Sequence, residues 1–509
     1  MRTVPDALAA SARRFGSKPA LIFGGEQRTF AELNRRSNQI AHALWDMGVR
    51  PGDRVALLLP NGLEFAEMYF GLAKAGAVAV PLSWRWTPGA LRQAVGHSGA
   101  ALVLIDREFA PLLEGVEAYP CPLVWTGSES EWEGRVQASS AEQSVSVRVA
   151  EDDAIVLAYT SGTTGAPKGA LRSHASHMAI ALTMVAEMRI AREWTGFAML
   201  PMYHVNSMWF VTLTVAIGAT CVISSNRTFH PERILQELTE NRVAFGMFVP
   251  SILTYMVEAA ETGRWPCPDL RVLMTSSAPL DRRLRDRILA AFDKAELYDI
   301  YGATEYGAAT VFHHAPGTDM GSVGYPVLGH ELSIRDEEGN SLTDGKPGHV
   351  YFRGASLMSG YWQLEHARFT GWSEDGFLTV GDMGYVCEDG RLVLVDRAAD
   401  RMIVRGENVF PSEVETALLS HPAVALAAVF GVPDRRRGEA IVALVQLRPE
   451  HAASVDELQR RCREQLADYQ WPRHVEIISQ LPLGPVGKVI RAQARRDWLA
   501  AHPEREDAD

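Results

Sequence analysis

The chain has 509 residues, of which 47% are hydrophobic and 22% charged, and its formal net charge is −12. That composition excludes collagen-like, disordered and disulfide-scaffold chains, and at roughly 150 residues per domain it allows about three folding units. An acidic balance also argues against a protein that coats duplex nucleic acid, which needs a basic footprint.

The five cysteines, Cys121, Cys221, Cys267, Cys387 and Cys462, are scattered and include no Cys-x-x-Cys pair. This pattern reads as a reduced, metal-free chain of the cytoplasm. Residues 1–15 carry Arg2, Asp6, Arg13 and Arg14 among alanines and lack the apolar run of a secretion signal. A charge-free stretch at 205–223 is interrupted by Asn206, Ser207, Thr212, Thr214, Gly218 and Thr220. It predicts a buried helix followed by a core strand, with no membrane span.

In chain order, 20–23 reads as a strand, Gly24-Gly25 as a turn, and Thr29 with Glu32 as a capping box opening a helix. A strand follows at 54–59, a turn at Pro60-Asn61-Gly62, a helix at 63–75 and a strand at 77–81. Short continuous apolar strands between amphipathic helices indicate a parallel sheet covered on both faces. The rhythm returns at 101–105, 154–159, 196–200, 220–223, 245–248, 271–275 and 296–301. After about residue 310, strands at 349–353, 376–379 and 391–395 separated by Gly and Asp turns predict an antiparallel section. Beyond 400 the texture is mixed α and β. Ser412 and Glu415 read as a capping box for a helix to 419, followed by strands at 423–432 and 440–447. Ser454 and Glu457 open a helix to 467, and a last strand spans 474–478. This is enough chain for a small domain.

The strongest chemical signal is Tyr159-Thr160-Ser161-Gly162-Thr163-Thr164-Gly165-Ala166-Pro167-Lys168-Gly169. A strand runs into a loop of hydroxyls, glycines and one lysine. Glycines let backbone N–H groups close on an anion, hydroxyls donate hydrogen bonds, and lysine supplies a point charge. That is chemistry for a polyphosphate, although the spacing is not that of a Walker A loop.

This segment resembles the phosphate-loop signature of the adenylate-forming superfamily: acyl-CoA synthetases, peptide-synthetase adenylation domains and firefly-type luciferases. Further segments follow in that family's order. The resemblance implies that Thr160, Ser161, Gly162, Thr163, Thr164 and Lys168 cradle the β- and γ-phosphates of ATP. Leu200-Pro201-Met202-Tyr203-His204 is similar to the segment whose histidine lies near the substrate carboxylate, which makes His204 a gate and orienting group. In Tyr301-Gly302-Ala303-Thr304-Glu305 the tyrosine is expected to stack on adenine, the threonine to meet the α-phosphate and Glu305 to hold Mg²⁺. Ser277-Ala278-Pro279 should line the other adenine face, and Asp299 the adenine edge.

Thr379-Val380-Gly381-Asp382 resembles the family Thr-Gly-Asp with one residue inserted, so Asp382 is expected to take the ribose hydroxyls and Arg397 the ribose or a phosphate. Arg397-Ala398-Ala399-Asp400 is similar to the hinge motif, but Ala399 stands where Lys or Asp is usual. Gly406, Glu407 and Asn408 correspond to the loop that lines the pantetheine tunnel in members using coenzyme A. Leu481 to Arg491 resembles the last motif, with Gly484 for Thr and Lys488 as the adenylation lysine.

The implied class is α/β. A large N-terminal domain at 1–396, of doubly wound αβαβα-type sheets plus a β-rich subdomain, is joined by a hinge at 397–400 to a small α+β C-terminal domain at 401–509. The implied reaction is ATP- and Mg²⁺-dependent activation of a carboxylic acid to acyl-AMP, then transfer to coenzyme A. Capture by an amine or a carrier protein is the alternative. A silent nucleotide-binding homologue is disfavoured because Lys168, Glu305, Asp382 and Lys488 are all present. By position after His204, the acyl pocket should involve Asn206, Ser207, Trp209 and Phe210, with Phe248 from a later strand, which suggests a short or aromatic apolar acid. No clear basic set for a dicarboxylate stands out, with Arg172 and Arg227 left open. No nucleic-acid partner is expected, and the chain is read as a monomer or homodimer.

Overall fold

The computed structural model describes the chain except residues 1, 114–118, 143–146, 161–167, 226–228, 278–279, 316–317, 319–320, 344, 364–370, 398–399, 401, 405–406, 435–437, 485–488 and 503–509. For 160, 396, 397, 403, 407, 408 and 438 the backbone alone is described. The chain divides into two compact units: Met1–Leu332 with Phe352–Leu378, and Ser333–Tyr351 with Thr379–Asp509.

The first unit is built on two sheets. One has nine strands, parallel from Pro19–Phe23 through Thr220–Ile223, Thr195–Ala198, Val243–Phe248 and Val272–Ser276 to Glu296–Ala303, with antiparallel strands at each edge. The other has seven and is parallel from Ala154–Thr160 through Val78–Pro81, Arg54–Leu58 and Leu102–Ile105 to Leu123–Trp125. Lys168–Ser173 and Gly360–Tyr361 close its other edge antiparallel.

The core explains the layering. Between the sheets, Val55, Leu57 and Ala79 of one and Leu21, Cys221 and Met274 of the other share a cluster with the helices Phe30–Asp46, Leu63–Ala75, His174–Glu187 and Val205–Ile217. In Leu63–Ala75 every residue but Glu64 is buried. Each large apolar side chain so buried contributes about 1.5–3 kcal/mol, so this helix belongs to the middle layer. The outer faces carry Pro231–Glu240, Pro250–Ala260 and Arg282–Ala291 on the nine-stranded sheet and Pro88–Ser98 on the seven-stranded one. The result is the five-layer α/β arrangement expected.

Local predictions hold where the signal is local. Thr29 and Glu32 form a reciprocal capping box, as do Ser454 and Glu457. The charge-free stretch is the helix Val205–Ile217 and the core strand Thr220–Ile223. Gly218 joins them in the left-handed region, where a Cβ would lie 2.3 Å from the Phe15 ring. Among the described residues no helix is long and apolar enough to cross a membrane.

The second unit has an antiparallel sheet in which Gly348 pairs with Gly384 and Asp382 with Arg397. It also has a five-stranded sheet around Gly438–Leu447. Pro411–Leu419 and Val455–Gln465 cover one face of the latter, and Arg491–Ala501 the other.

Two expectations are corrected. Residues 376–379 form no strand, since Leu378 makes only isolated bridges to Phe352 and Trp372. The helix after 410 starts earlier than the Ser412/Glu415 reading places it. Pro411, with φ preset for a first helical position, opens it, and the Glu413 carboxylate accepts from the Phe410 N–H at 3.1 Å. Ser412 instead donates to the Val395 carbonyl at 2.5 Å.

Burial pushes His174, His204, His314 and His330 down to about 4, and His177 well below its ordinary value. Above about pH 6.5 these rings are neutral in both folded and unfolded chain. Between about pH 6.5 and 4 only the unfolded chain takes up the protons. Stability should therefore be flat above pH 6.5 and fall by up to about 1.4 kcal/mol per pH unit for each ring as the pH drops. Urea midpoints at pH 7.5, 6.5, 5.5 and 4.5 check this; a midpoint unchanged between pH 6.5 and 4.5 contradicts it.

Candidate functional site

In open α/β sheets, ligands bind beyond the carboxyl ends of the strands, and in the first unit Thr160, Ser277 and the 301–305 segment stand at the carboxyl ends of Ala154–Thr160, Val272–Ser276 and Glu296–Ala303. Glu296–Ala303 turns back into Gly307–His314 through Thr304-Glu305-Tyr306, with Ala303 paired to Gly307. The glycines have a steric cause. Gly307 has φ +75°, and a Cβ on Gly302 would lie 2.0 Å from the Gly307 carbonyl oxygen. This tight hairpin holds Thr304 and Glu305 at its tip, with Tyr301 half-buried 6.2 Å from the Phe352 ring.

Glu305 is only 7% exposed. Its Oε1 accepts from the Tyr361 hydroxyl at 2.5 Å, and its backbone carbonyl accepts from the Met358 N–H at 2.8 Å. Lys168 Nζ stands 5.5 Å from the Tyr361 ring centroid. Tyr361 thus stands between Lys168 and the acid of the hairpin. Sequence reading missed it, because a tyrosine in a two-residue strand carries no periodicity.

Thr160 and Lys168 are the last register pair of the strands on either side of residues 161–167. Ser161, Gly162, Thr163 and Thr164 lie outside the described residues, as do Ala278, Pro279, Ala399, Gly406, Lys488 and Arg227. Thr160, Arg397, Glu407 and Asn408 are described in backbone only. Ser277 directly follows Val272–Ser276, is exposed, and has φ +75°. A non-glycine residue there costs about 1–2 kcal/mol, a local strain of the kind found at functional turns. Asp299 lies one strand over, in register with Thr275. Burial pushes its carboxyl up to about 7, against the Ile300 N–H, which works the other way. Near neutral pH it can therefore donate as well as accept.

His204 occupies the N-cap position of Val205–Ile217 without capping it. Its ring packs 4.6 Å from Tyr203, and its buried Nε2 has no partner among the described residues. Burial, with Arg85 adding to it, holds the imidazole neutral at about 4. A neutral ring with an unused nitrogen suits an orienting contact. Asn206 Oδ1 accepts from Trp209 Nε1 at 3.3 Å, and Ser207 donates to the Leu200 carbonyl at 2.9 Å. Asn206, Ser207 and Phe210 line a small cavity with Ala198, Met199, Leu200 and Met247. Trp209 packs into the inter-sheet core and does not line that cavity. Neither does Phe248. Strand alternation sends it into the opposite core, stacked on Phe197 at 6.2 Å, and puts Met247 on the cavity side.

In the second unit, Gly381 (φ +87°) donates to Thr379 Oγ1 at 3.1 Å and turns the chain into the strand that starts with Asp382. Asp382 and Arg397 face each other in register. Arg491 is held by Asp400 at 2.5 Å and by both Glu415 oxygens at 3.0 Å, which anchors the segment behind Lys488.

Among the described residues no group of three His, Cys, Asp or Glu side chains forms a metal cage. Mg²⁺ needs none. It is commonly held by one or two carboxylates and the substrate's own phosphates, and Glu305 fits that mode.

Residues 8–362 match the family model "AMP-binding enzyme", and residues 413–488 match "AMP-binding enzyme C-terminal domain". A fatty acid–[acyl-carrier-protein] ligase, ScoC of Streptomyces coeruleorubidus, is 33% identical, covering 98% of this chain and 97% of its own. A feruloyl-CoA synthase of an Amycolatopsis species is 32% identical over 94% of this chain and 95% of its own. The structure is also similar to the o-succinylbenzoate CoA synthetase MenE of Bacillus subtilis, solved in complex with its acyl-adenylate intermediate. The TM-score is 0.86 at 27% identity, covering 96% of this chain and 98% of that one. With family models spanning most of its length and relatives covered nearly end to end, the chain belongs to the AMP-binding, adenylate-forming enzymes, as an AMP-forming acid–thiol ligase.

Proposed function

We propose that this ligase activates a short or aromatic apolar carboxylic acid and transfers it to coenzyme A. The observation that carries the activation step is the meeting of Lys168, Tyr361 and Glu305 beside the hairpin tip. A carboxylate is a poor electrophile, and joining it to AMP supplies a leaving group. Such a phosphoryl transfer depends on positioning and charge neutralisation.

Thr160, Ser161, Gly162, Thr163, Thr164 and Lys168 hold the β- and γ-phosphates. Thr304 donates to the α-phosphate. Glu305 is the protein ligand for Mg²⁺, which when bound neutralises phosphate charge. Tyr301 and Ser277-Ala278-Pro279 enclose the adenine, Asp299 meets its edge, and Asp382 and Arg397 take the ribose. His204 orients the acid carboxylate at the mouth of a pocket formed by Asn206, Ser207, Phe210 and Met247. Lys488 supplies positive charge for adenylation only. Rotation at 397–400 then brings Gly406, Glu407 and Asn408 of the 401–509 domain to guide the thiol.

The test is pyrophosphate release from ATP and Mg²⁺ across fatty, aryl, heteroaryl and dicarboxylic acids, each with no acceptor, coenzyme A, a holo acyl-carrier protein or amines. Turnover is expected with coenzyme A and apolar acids. The likeness to ScoC supports a second reading, and turnover only with the carrier protein selects it. Turnover only with amines makes the chain an amide synthetase, and no release from any acid overturns the activation step.

A further inference from the structure

The strand Lys168–Ser173 serves three parts of the site at once. Its first residue is the phosphate-loop lysine. Its free edge pairs with Gly360–Tyr361, which places the Tyr361 hydroxyl on Glu305. From the same strand Arg172 reaches the hairpin tip. One guanidinium nitrogen donates to the Thr304 carbonyl at 2.6 Å, and another donates to the Ser356 carbonyl. Ser356 in turn donates its hydroxyl to the Tyr306 carbonyl, on the far side of the same turn. The residue whose side chain meets the Mg²⁺-nucleotide thus has its neighbours' backbone held from both sides.

Arg172 is fully buried, and among the described residues no carboxylate pairs with it within ion-pair distance. Its Nε has no partner there, and neither ring nitrogen of the fully buried His177 has one. Burial lowers its pKa to about 10, with the Glu305 charge acting in the opposite sense, so the guanidinium stays charged at neutral pH. A buried charge without a contacting partner is a poor stability device. Burying it costs desolvation that no ion pair among the described residues offsets. The forked geometry, which binds two carbonyls at fixed separation, is what an apolar side chain lacks.

We propose that Arg172 is a positioning residue that fixes the Thr304–Glu305 tip in the geometry that receives Mg²⁺-ATP, acting through the Thr304 and Ser356 carbonyls with no contact to substrate. This rests on the reading of Glu305 given above. It also removes Arg172 from the residues open to a dicarboxylate substrate, since the side chain is fully buried and turned to the protein's own carbonyls.

The experiment is calorimetric titration of the full chain with ATP, in Mg²⁺ and in EDTA, for wild type, Arg172→Met and Arg172→Lys, alongside Tm. For Arg172→Met, affinity for Mg²⁺-ATP is expected to fall by about 10–100-fold, the range for losing a group that orients a metal ligand. Affinity in EDTA should fall less than affinity in Mg²⁺, because only Thr304 of the tip meets the nucleotide without the ion. Tm should drop by no more than the loss of two carbonyl partners explains, and Arg172→Lys should recover part of the loss because it keeps the charge without the fork. Wild-type Mg²⁺ dependence in Arg172→Met overturns the inference. So does an equal loss with and without Mg²⁺ accompanied by a lower Tm, which marks a merely structural role. If the methionine variant does not fold, the lysine variant decides by the same Mg²⁺ criterion. No acid is needed, so the two readings fail separately. A wild type that binds Mg²⁺-ATP yet activates no acid defeats the ligase reading and leaves this comparison valid; a wild type that does not bind Mg²⁺-ATP defeats both.

Discussion

Lys488→Ala is expected to lower pyrophosphate release by about 10²–10³-fold, the usual cost of removing one preorganised group from a developing charge. The same variant should still convert synthetic acyl-AMP and coenzyme A to thioester and AMP. The described residues on either side of it are well tethered. Leu483 and Val489 bridge each other, Ile490 N–H donates to the Pro482 carbonyl at 2.8 Å, and Arg491 is clamped by Asp400 and Glu415. Alanine at 488 touches none of these contacts, so the fold and the second step should survive. Separate assays of the two half-reactions decide the matter. Equal loss in both assigns Lys488 a role in holding the nucleotide throughout and removes the division of labour proposed here.

Glu305→Gln should lower kcat/KM for ATP by about 100-fold, the upper end of losses on disturbing a metal site, and raise the Mg²⁺ concentration needed for half-maximal rate. Glutamine keeps the side-chain length and an oxygen that accepts from Tyr361, and the backbone bond from Met358 does not depend on the side chain. What is lost is one negative charge. Rates measured against Mg²⁺ at saturating ATP test this. A Mg²⁺ dependence identical to wild type shows that another group holds the ion.

The helices Leu63–Ala75 and Val205–Ile217, the capping boxes at Thr29/Glu32 and Ser454/Glu457, and most parallel strands were legible because their causes lie within a few residues of each other. A continuous apolar run bounded by turn residues and a cap three residues away do not depend on the rest of the chain. The same local logic failed at Ser412 and Glu415. A neighbouring proline opened the helix earlier, and the Val395 carbonyl, 17 residues back in the chain, offered the serine a different partner.

Site chemistry divides along the same line. The hydroxyls, glycines and lysine after Tyr159 suggest a polyphosphate by residue type, whereas the Gly-x-Thr-Glu of the hairpin was read through its resemblance to a family motif. Which face of Val243–Phe248 lines the small cavity beside Asn206 was not legible. Alternation fixes that Met247 and Phe248 point apart, but only the neighbouring strands and helices decide which way each points. Tyr361 meets Glu305 across 56 residues of chain and Arg172 meets Thr304 across 132. The residue types needed for chemistry were therefore set by amino-acid identity. Their support was decided by tertiary structure, because a hydrogen bond between distant segments leaves no periodic or compositional trace in either.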